Sequence, residues 1–308
     1  MLGISAVPRL QPPPGLQDYL DAAALVRDAG ARASFESATW SDLDTPAGRS
    51  KLTDAVGSAA GRGNAVLLTI KVIDTTVKAV PSDLAGSTFD SAALVGRFHA
   101  LLDQLRPALA GKLRYLSIGN EVDVYLGSHP EALEPYRRFL ADAVGYAHTL
   151  FPGVLVGVTS TYDGARRVST LNDLTDVVVL TYYPLGPRFV PRPPSTAAPD
   201  LAAMLELAGD RPLVLQEVGY PSDPVLSSSE QRQAEFVTAI LAAWKAAGAR
   251  VPMLNWFALG DFTTQLCDQL TGYYGLGGDR NFGAYLCSLG LRRVDGTPKA
   301  GWQALLDR

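Results

Sequence analysis

The sequence predicts an α/β fold, a single (β/α)8 (TIM) barrel spanning residues 1–308. Three observations predict it. Short apolar runs alternate with longer segments whose apolar residues recur every three to four positions. The runs are almost continuously apolar, as parallel strands covered by helices must be. No glycine-rich turn follows the first run, which leads instead into Pro8 and Pro12–Pro14. That disfavours an open doubly wound sheet built to bind a nucleotide. The chain has 308 residues, a length that α/β barrels commonly reach as one domain.

Taken in order, the strand-like runs are Gly3–Val7, Arg32–Ala38, Ala65–Ile73, Leu113–Ile118, Val154–Ser160, Val177–Tyr183, Pro212–Gln216 and Val251–Phe257. A helical pattern over Tyr19–Val26 separates the first two. A longer one, Ala92 to Leu109, lines up Leu94, Val95, Phe98, Leu101, Leu102 and Leu105. Glu131 to Leu150 follows the fourth run. It opens at Ser128-His129-Pro130-Glu131, where serine can cap and proline and glutamate suit a first turn. Glu230 to Gly248 follows the seventh run, behind Ser227-Ser228-Ser229. The proline-rich stretches Pro12–Pro14 and Pro184–Pro199 are expected to be loops, the second able to wall a cleft. A third long loop is expected from Asp261 to Arg292. Gly275-Leu276-Gly277-Gly278 lies in it with no strand before it, and so reads as loop rather than phosphate cradle.

Apolar residues make up 47% of the chain and charged ones 19%, which supports a large core. The net charge of −4 argues against nucleic acid or an anionic membrane surface as partner. No apolar run nears the ~18 residues of a membrane span. Met1 to Gly15 lacks the charged and apolar regions of a signal peptide. Met1 stands almost directly on the first strand, so removal of a leader fits the sequence. An extracellular or periplasmic location is expected in that case, and a cytoplasmic one otherwise. Cys267 and Cys287 are either two buried thiols or one disulfide stapling the third loop. Two thiols cannot build a zinc site alone, and His99, His129 and His148 show no ligand spacing. No metal or cofactor is expected, and the chain is expected to be a monomer.

Two stretches carry chemistry. The apolar run ending Leu116-Ser117-Ile118-Gly119-Asn120-Glu121-Val122 delivers a glutamate just past a buried strand. Pro212-Leu213-Val214-Leu215-Gln216-Glu217-Val218-Gly219-Tyr220-Pro221 repeats the arrangement. In a barrel the C-terminal strand ends share one mouth, so Glu121 and Glu217 are expected there together. Two carboxyls ~5–5.5 Å apart suit glycoside cleavage with retention, in which one protonates the leaving oxygen and the other attacks the anomeric carbon. Glu121 is read as acid/base and Glu217 as nucleophile. The acid must be protonated while the nucleophile is ionised, which needs environments that push their proton affinities apart.

Ile118-Gly119-Asn120-Glu121-Val122 and Gln216-Glu217-Val218-Gly219-Tyr220-Pro221-Ser222 resemble the strand-four and strand-seven motifs of the retaining β-glycosidase clan of (β/α)8 barrels. The strings are most similar to the endo-β-1,3-glucanase branch, with endo-β-1,4-galactanases and some β-mannanases close behind. The resemblance implies a β-linked carbohydrate substrate, a sugar 2-hydroxyl contact for Asn120, and the two glutamate roles given above. Thr181-Tyr182-Tyr183-Pro184 resembles the strand-six motif, whose tyrosine hydrogen-bonds the nucleophile; Tyr183 is favoured over Tyr182. Asn255-Trp256-Phe257 resembles strand eight, which implies that Trp256 floors the sugar subsite. One departure stands out. Many clan members carry an arginine near the end of strand two, and here the only one is Arg32, at its start. A pairing of Lys71 with Glu36 inside the barrel is expected instead.

Each reading has a plainer rival. Glu121 and Glu217 could be loop carboxylates, and Asn120 a turn former. Tyr183 and Trp256 could be core. Trp40 and Tyr220 are expected as sugar-stacking aromatics or, alternatively, as loop cover. Asp123 reads as the opening of a loop, and Asp261 as a loop cap or a distal subsite. No Gly-x-Ser-x-Gly occurs, which weakens an esterase. A transglycosylase would share every residue of this site, and a non-catalytic carbohydrate-binding barrel would ordinarily lack one carboxylate.

Overall fold

The computed structural model describes all 308 residues. Its strands are β1 (Leu2–Ile4), β2 (Ala33–Thr39), β3 (Ala65–Asp74), β4 (Val77–Lys78), β5 (Leu113–Asn120), β6 (Leu155–Gly157), β7 (Thr159–Thr161), β8 (Val178–Tyr182), β9 (Leu213–Val218) and β10 (Met253–Trp256). They form one sheet in the order β6-β5-β3-β2-β1-β10-β9-β8-β7, with β4 beside β3. The two ends of this path, β6 and β7, are pieces of a single run interrupted at Val158. The pairings β1–β10, β2–β3, β3–β5, β5–β6 and β7–β8 are parallel, and β4 is antiparallel to β3. The fold is the (β/α)8 barrel that the alternation predicts.

Contacts cluster into two compact units, both discontinuous in sequence. One comprises Met1–Arg32, Tyr182–Gly209 and Glu217–Arg308, and the other Ala33–Thr181 and Asp210–Gln216. In the second unit, Val66, Leu68, Ile70 and Val72 of β3 pack with Leu94, Phe98, Leu101, Leu102 and Leu105. Those five lie on the helix Ala92–Leu109, whose Ser91 cap accepts a hydrogen bond from the Leu94 N–H. Alternate residues of a strand face opposite ways, so Leu67, Thr69 and Lys71 turn from that helix.

This alternation overturns one expectation. Glu36 lies opposite Leu68 in the β2–β3 register, and Lys71 opposite Thr39. Cross-strand neighbours share a face, so Glu36 and Lys71 point to opposite sides of the sheet and cannot pair. Lys71 instead lies 3.3 Å from Asp74. Glu36 accepts from the Ser34 hydroxyl at 2.6 Å, and burial pushes its carboxyl up.

The stretch Asp261–Arg292, expected as loop, contains the helices Thr264–Tyr273 and Arg280–Cys287. Thr263 caps the first by accepting from the Leu266 N–H. Asp279 caps the second by accepting from the Asn281 and Phe282 N–H groups. Gly272, Gly275, Gly277 and Gly278 mask both helices in the sequence. Cys267 and Cys287 are joined as a disulfide between them. The stretch Pro184–Pro199 holds two single 3-10 turns, Pro187–Phe189 and Pro194–Thr196, and then enters the helix Ala197–Ala208. No helix is long and apolar enough to cross a membrane.

Candidate active site

β5 delivers Glu121 one residue past its end. Gly119 makes the exit possible. It has φ of 94°, and a Cβ there would collide with the Tyr136 hydroxyl, which donates to the Ile118 carbonyl at 2.7 Å. Glu121 itself turns into the left-handed region (φ 47°, ψ 44°) and starts the helix Val122–Ser128. For a side chain with a Cβ, that conformation costs about 1–2 kcal/mol. Both carboxylate oxygens are gripped by threonine hydroxyls. Thr181 donates to Oε1 at 2.7 Å and Thr75 to Oε2 at 2.7 Å. The Thr75 N–H also donates to the Asn120 carbonyl at 2.9 Å.

Asp123 does more than open a loop. It is buried and accepts from the N–H and the hydroxyl of Thr161, at 2.7 Å each. Burial pushes its carboxyl up. The contact pins the helix that Glu121 starts to the end of β7.

Glu217 has a different setting. It lies within β9, and the Tyr183 hydroxyl donates to its Oε2 at 2.6 Å. The preceding residue, Tyr182, faces the other way. Its hydroxyl donates to Asp200 at 2.7 Å, and its ring meets Phe236 of the helix Glu230–Ala247. Gly219 leaves room for Tyr183, because a Cβ there would come within 2.7 Å of the ring and 2.9 Å of the Phe257 carbonyl. Tyr285, on the disulfide-bonded helix pair, meets Tyr183 edge-on at 5.4 Å, and Phe189 stacks on Tyr285. In the same unit Lys299 is buried. Its ammonium donates to Asp261 at 2.7 Å, to the Ser222 hydroxyl at 2.9 Å and to the Ser288 carbonyl at 3.2 Å. Burial pushes the Asp261 carboxyl up to about 6. Asp261 therefore serves this ion pair, and also accepts from the Gly290 N–H.

The residues immediately before the two glutamates are bonded to each other. Gln216 Nε2 donates to Asn120 Oδ1 at 2.8 Å. Gln216 Oε1 accepts from Thr69 at 2.6 Å and from Thr159 at 2.8 Å. Asn120 Nδ2 donates to Asp74 at 3.2 Å, and Asp74 pairs with Lys71. The chain of buried polar groups is satisfied at each step, as it must be where water cannot substitute.

Three aromatic residues expected as sugar platforms lie elsewhere. Trp40 is 1% exposed and sits edge-to-face on Phe98, under the helix Ala92–Leu109. Tyr220 and Trp256 are fully buried and pack on Phe236. The Tyr220 hydroxyl donates to the Arg192 carbonyl at 2.8 Å. No ring face of these three is open to a sugar. The strand period of two gives the reason: the apolar layer under the helices takes Tyr182 and Trp256, and the following residues, Tyr183 and Phe257, turn the other way. Phe257 is half-buried, donates its N–H to the Val218 carbonyl, packs edge-on against Phe262, and precedes a cis peptide to Ala258.

Sequence reasoning missed Thr75, Thr181 and Gln216, which bond to Glu121 and Asn120. A signal for Gln216 was available, since it precedes Glu217 as Asn120 precedes Glu121. Thr181 stands two residues before Tyr183, on the same strand face. Thr75 carried no such signal. No group of three or more His, Cys, Asp or Glu side chains is arranged to hold a metal ion.

Fold and geometry define a (β/α)8 barrel with a hydroxyl-bonded glutamate at the C-terminal end of β5 and another in β9. No family model and no curated protein matches the chain by sequence. Solved structures do match it. A GH5_18 protein from Streptomyces cattleya, a variant in complex with Manβ1-4GlcNAc, aligns with a TM-score of 0.75 at 20% identity, covering 99% of this chain and 79% of that one. A GH5_18 protein from Bifidobacterium longum subsp. infantis aligns with a TM-score of 0.76 at 18% identity, covering 99% and 77%. The exo-β-1,4-mannosidase Op5Man5 from Opitutaceae bacterium strain TAV5 aligns with a TM-score of 0.73 at 16% identity, covering 99% of this chain and 58% of that one. At these identities the likeness is one of fold.

Proposed function

We propose that this chain, acting as one domain, is a retaining glycoside hydrolase for β-linked sugars. The observation that carries the reading is the 2.8 Å bond between Gln216 and Asn120. It ties together the residues that precede the two glutamates, and so links the two strands that carry them. In this reading Glu217 attacks the anomeric carbon and Glu121 protonates the departing oxygen. Glu121, now a carboxylate, then takes a proton from the water that frees the sugar. The Tyr183 phenol holds Glu217 in one orientation, and orientation is worth much of such a barrier. Asn120 has its oxygen occupied by Gln216 and one amide hydrogen by Asp74, which leaves its second amide hydrogen for the sugar. Phe257 takes the sugar-facing role expected of Trp256. The reaction uses no cofactor.

The fold neighbours include a complex with Manβ1-4GlcNAc and an exo-β-1,4-mannosidase, which puts a β-linked mannoside first among substrates to test. The test is hydrolysis of 4-nitrophenyl β-D-mannoside and β-D-glucoside and of Manβ1-4GlcNAc, with the anomer formed first read by NMR. Release of the β-anomer is expected. An α-anomer released first would replace the nucleophile assignment with an inverting mechanism.

A further inference from the structure

We propose that Thr75 is a positioning residue for Glu121, and that the strained hairpin carrying it serves to hold the acid/base carboxyl in one plane. The proposal rests on the reading of Glu121 as acid/base. β3 and β4 form a hairpin in which Asp74 lies opposite Val77, leaving Thr75 and Thr76 as its two central residues. Such tight hairpins need positive φ at one or both central residues, and glycine, asparagine and aspartate ordinarily fill those places. Here the residue is threonine, at φ 54°. A β-branched side chain is among the least suited to that conformation. A local rule broken with no local gain points to a gain elsewhere.

The gain lies on Glu121. The Thr75 backbone is tied to the Asn120 carbonyl at 2.9 Å, and its hydroxyl reaches Glu121 Oε2 at 2.7 Å. Thr181 holds the other oxygen at 2.7 Å. The terminal torsion of a glutamate is ordinarily broad. A carboxyl gripped at both oxygens cannot rotate about it, so the proton is delivered along one direction. Each hydroxyl donates to one lone pair of its carboxyl oxygen and leaves the other for the proton. Glycine at position 75 would relax the backbone and lose the grip. Serine would keep the hydroxyl.

The experiment compares Thr75→Gly, Thr75→Ser and the parent on phenyl and 2,4-dinitrophenyl β-D-mannosides and β-D-glucosides. The dinitrophenolate leaves without a proton, whereas the phenolate needs one. Thr75→Gly is expected to melt no lower than the parent. It should lose about tenfold or more in kcat/KM on the phenyl glycoside and change little on the dinitrophenyl one. Thr75→Ser should recover most of the loss. Equal rates for Thr75→Gly and parent on the phenyl glycoside, or an equal loss on both glycosides, would overturn the proposal. Glu121→Ala is run in parallel. If that variant shows no dependence on leaving group, the acid/base reading itself has failed. A crystal structure of Thr75→Gly decides the positioning independently of turnover. A rotated Glu121 carboxyl supports it, and an unmoved one overturns it.

Discussion

The two glutamates are held by opposite means. Glu217 stays inside a regular strand, and one phenol, itself packed edge-on against another tyrosine, aims it. Glu121 stands beyond its strand in a left-handed conformation, on two hydroxyls, one of which comes from a second left-handed residue. Regular secondary structure suffices to aim a group along a single line. The proposed acid/base must gain and lose a proton in each turnover, and irregular backbone surrounds it with groups that can donate or accept. Backbone strain is thus concentrated at one glutamate and absent from the other.

The largest test of that contrast is Glu217→Ala. Turnover should fall by on the order of 10⁴-fold or more, and azide should restore part of it with the inverted product. Rescue with retained configuration would move the nucleophile elsewhere. Glu121→Ala comes next. A loss of ~10²–10⁴-fold is expected on substrates with poor leaving groups and far less on activated ones. Tyr183→Phe removes one hydrogen bond to a charged group, worth about 1.5–3 kcal/mol. It should lower kcat by roughly ten- to a hundredfold with KM little changed. An unchanged kcat would mean that the strand alone aims Glu217.

Asp261→Asn tests the unit that contains Glu217 for stability. It replaces the titrating carboxyl beside the buried Lys299 ammonium by a neutral amide, and is read from denaturant unfolding across about pH 4 to 7. The pH dependence has a definite sign. The folded carboxyl titrates at about 6, above the unfolded value near 4. The folded protein therefore binds the extra proton. This group favours folding most below about pH 4, and its contribution is lost as pH rises through about 6. The Asn variant should lack that fall, and an unaltered pH slope would show that Asp261 does not titrate in this window. The smallest effect is expected from Trp256→Phe, which should lower the melting temperature while leaving KM within about twofold, as its burial implies.

The fold was legible because barrel strands are buried on both faces and announce themselves as apolar runs. The strand-end placement of Glu121 and Glu217 was legible because each stands at the end of such a run. The aromatic residues were not. Composition says that Trp256 or Phe257 lies near a strand end, and one residue of slip exchanges the helix-facing side for the other. The helices around the disulfide were hidden by glycines that mark their ends as readily as they mark a loop. Thr75 was hidden for a deeper reason: its importance is a departure from turn chemistry, and a sequence pattern displays only agreement with it.

The bond between Gln216 and Asn120 bears on how this site could be moved or remade. Exchanging either amide alone removes a hydrogen bond from a buried partner. Thr69 and Thr159 are committed to Gln216 in turn, and Asp74 to Asn120. A graft onto another barrel would have to carry all five side chains as one cassette, from strands far apart in the gene. Single-site libraries at these positions would return almost only the parent residue, whereas a library varying the two amides together could find a working replacement.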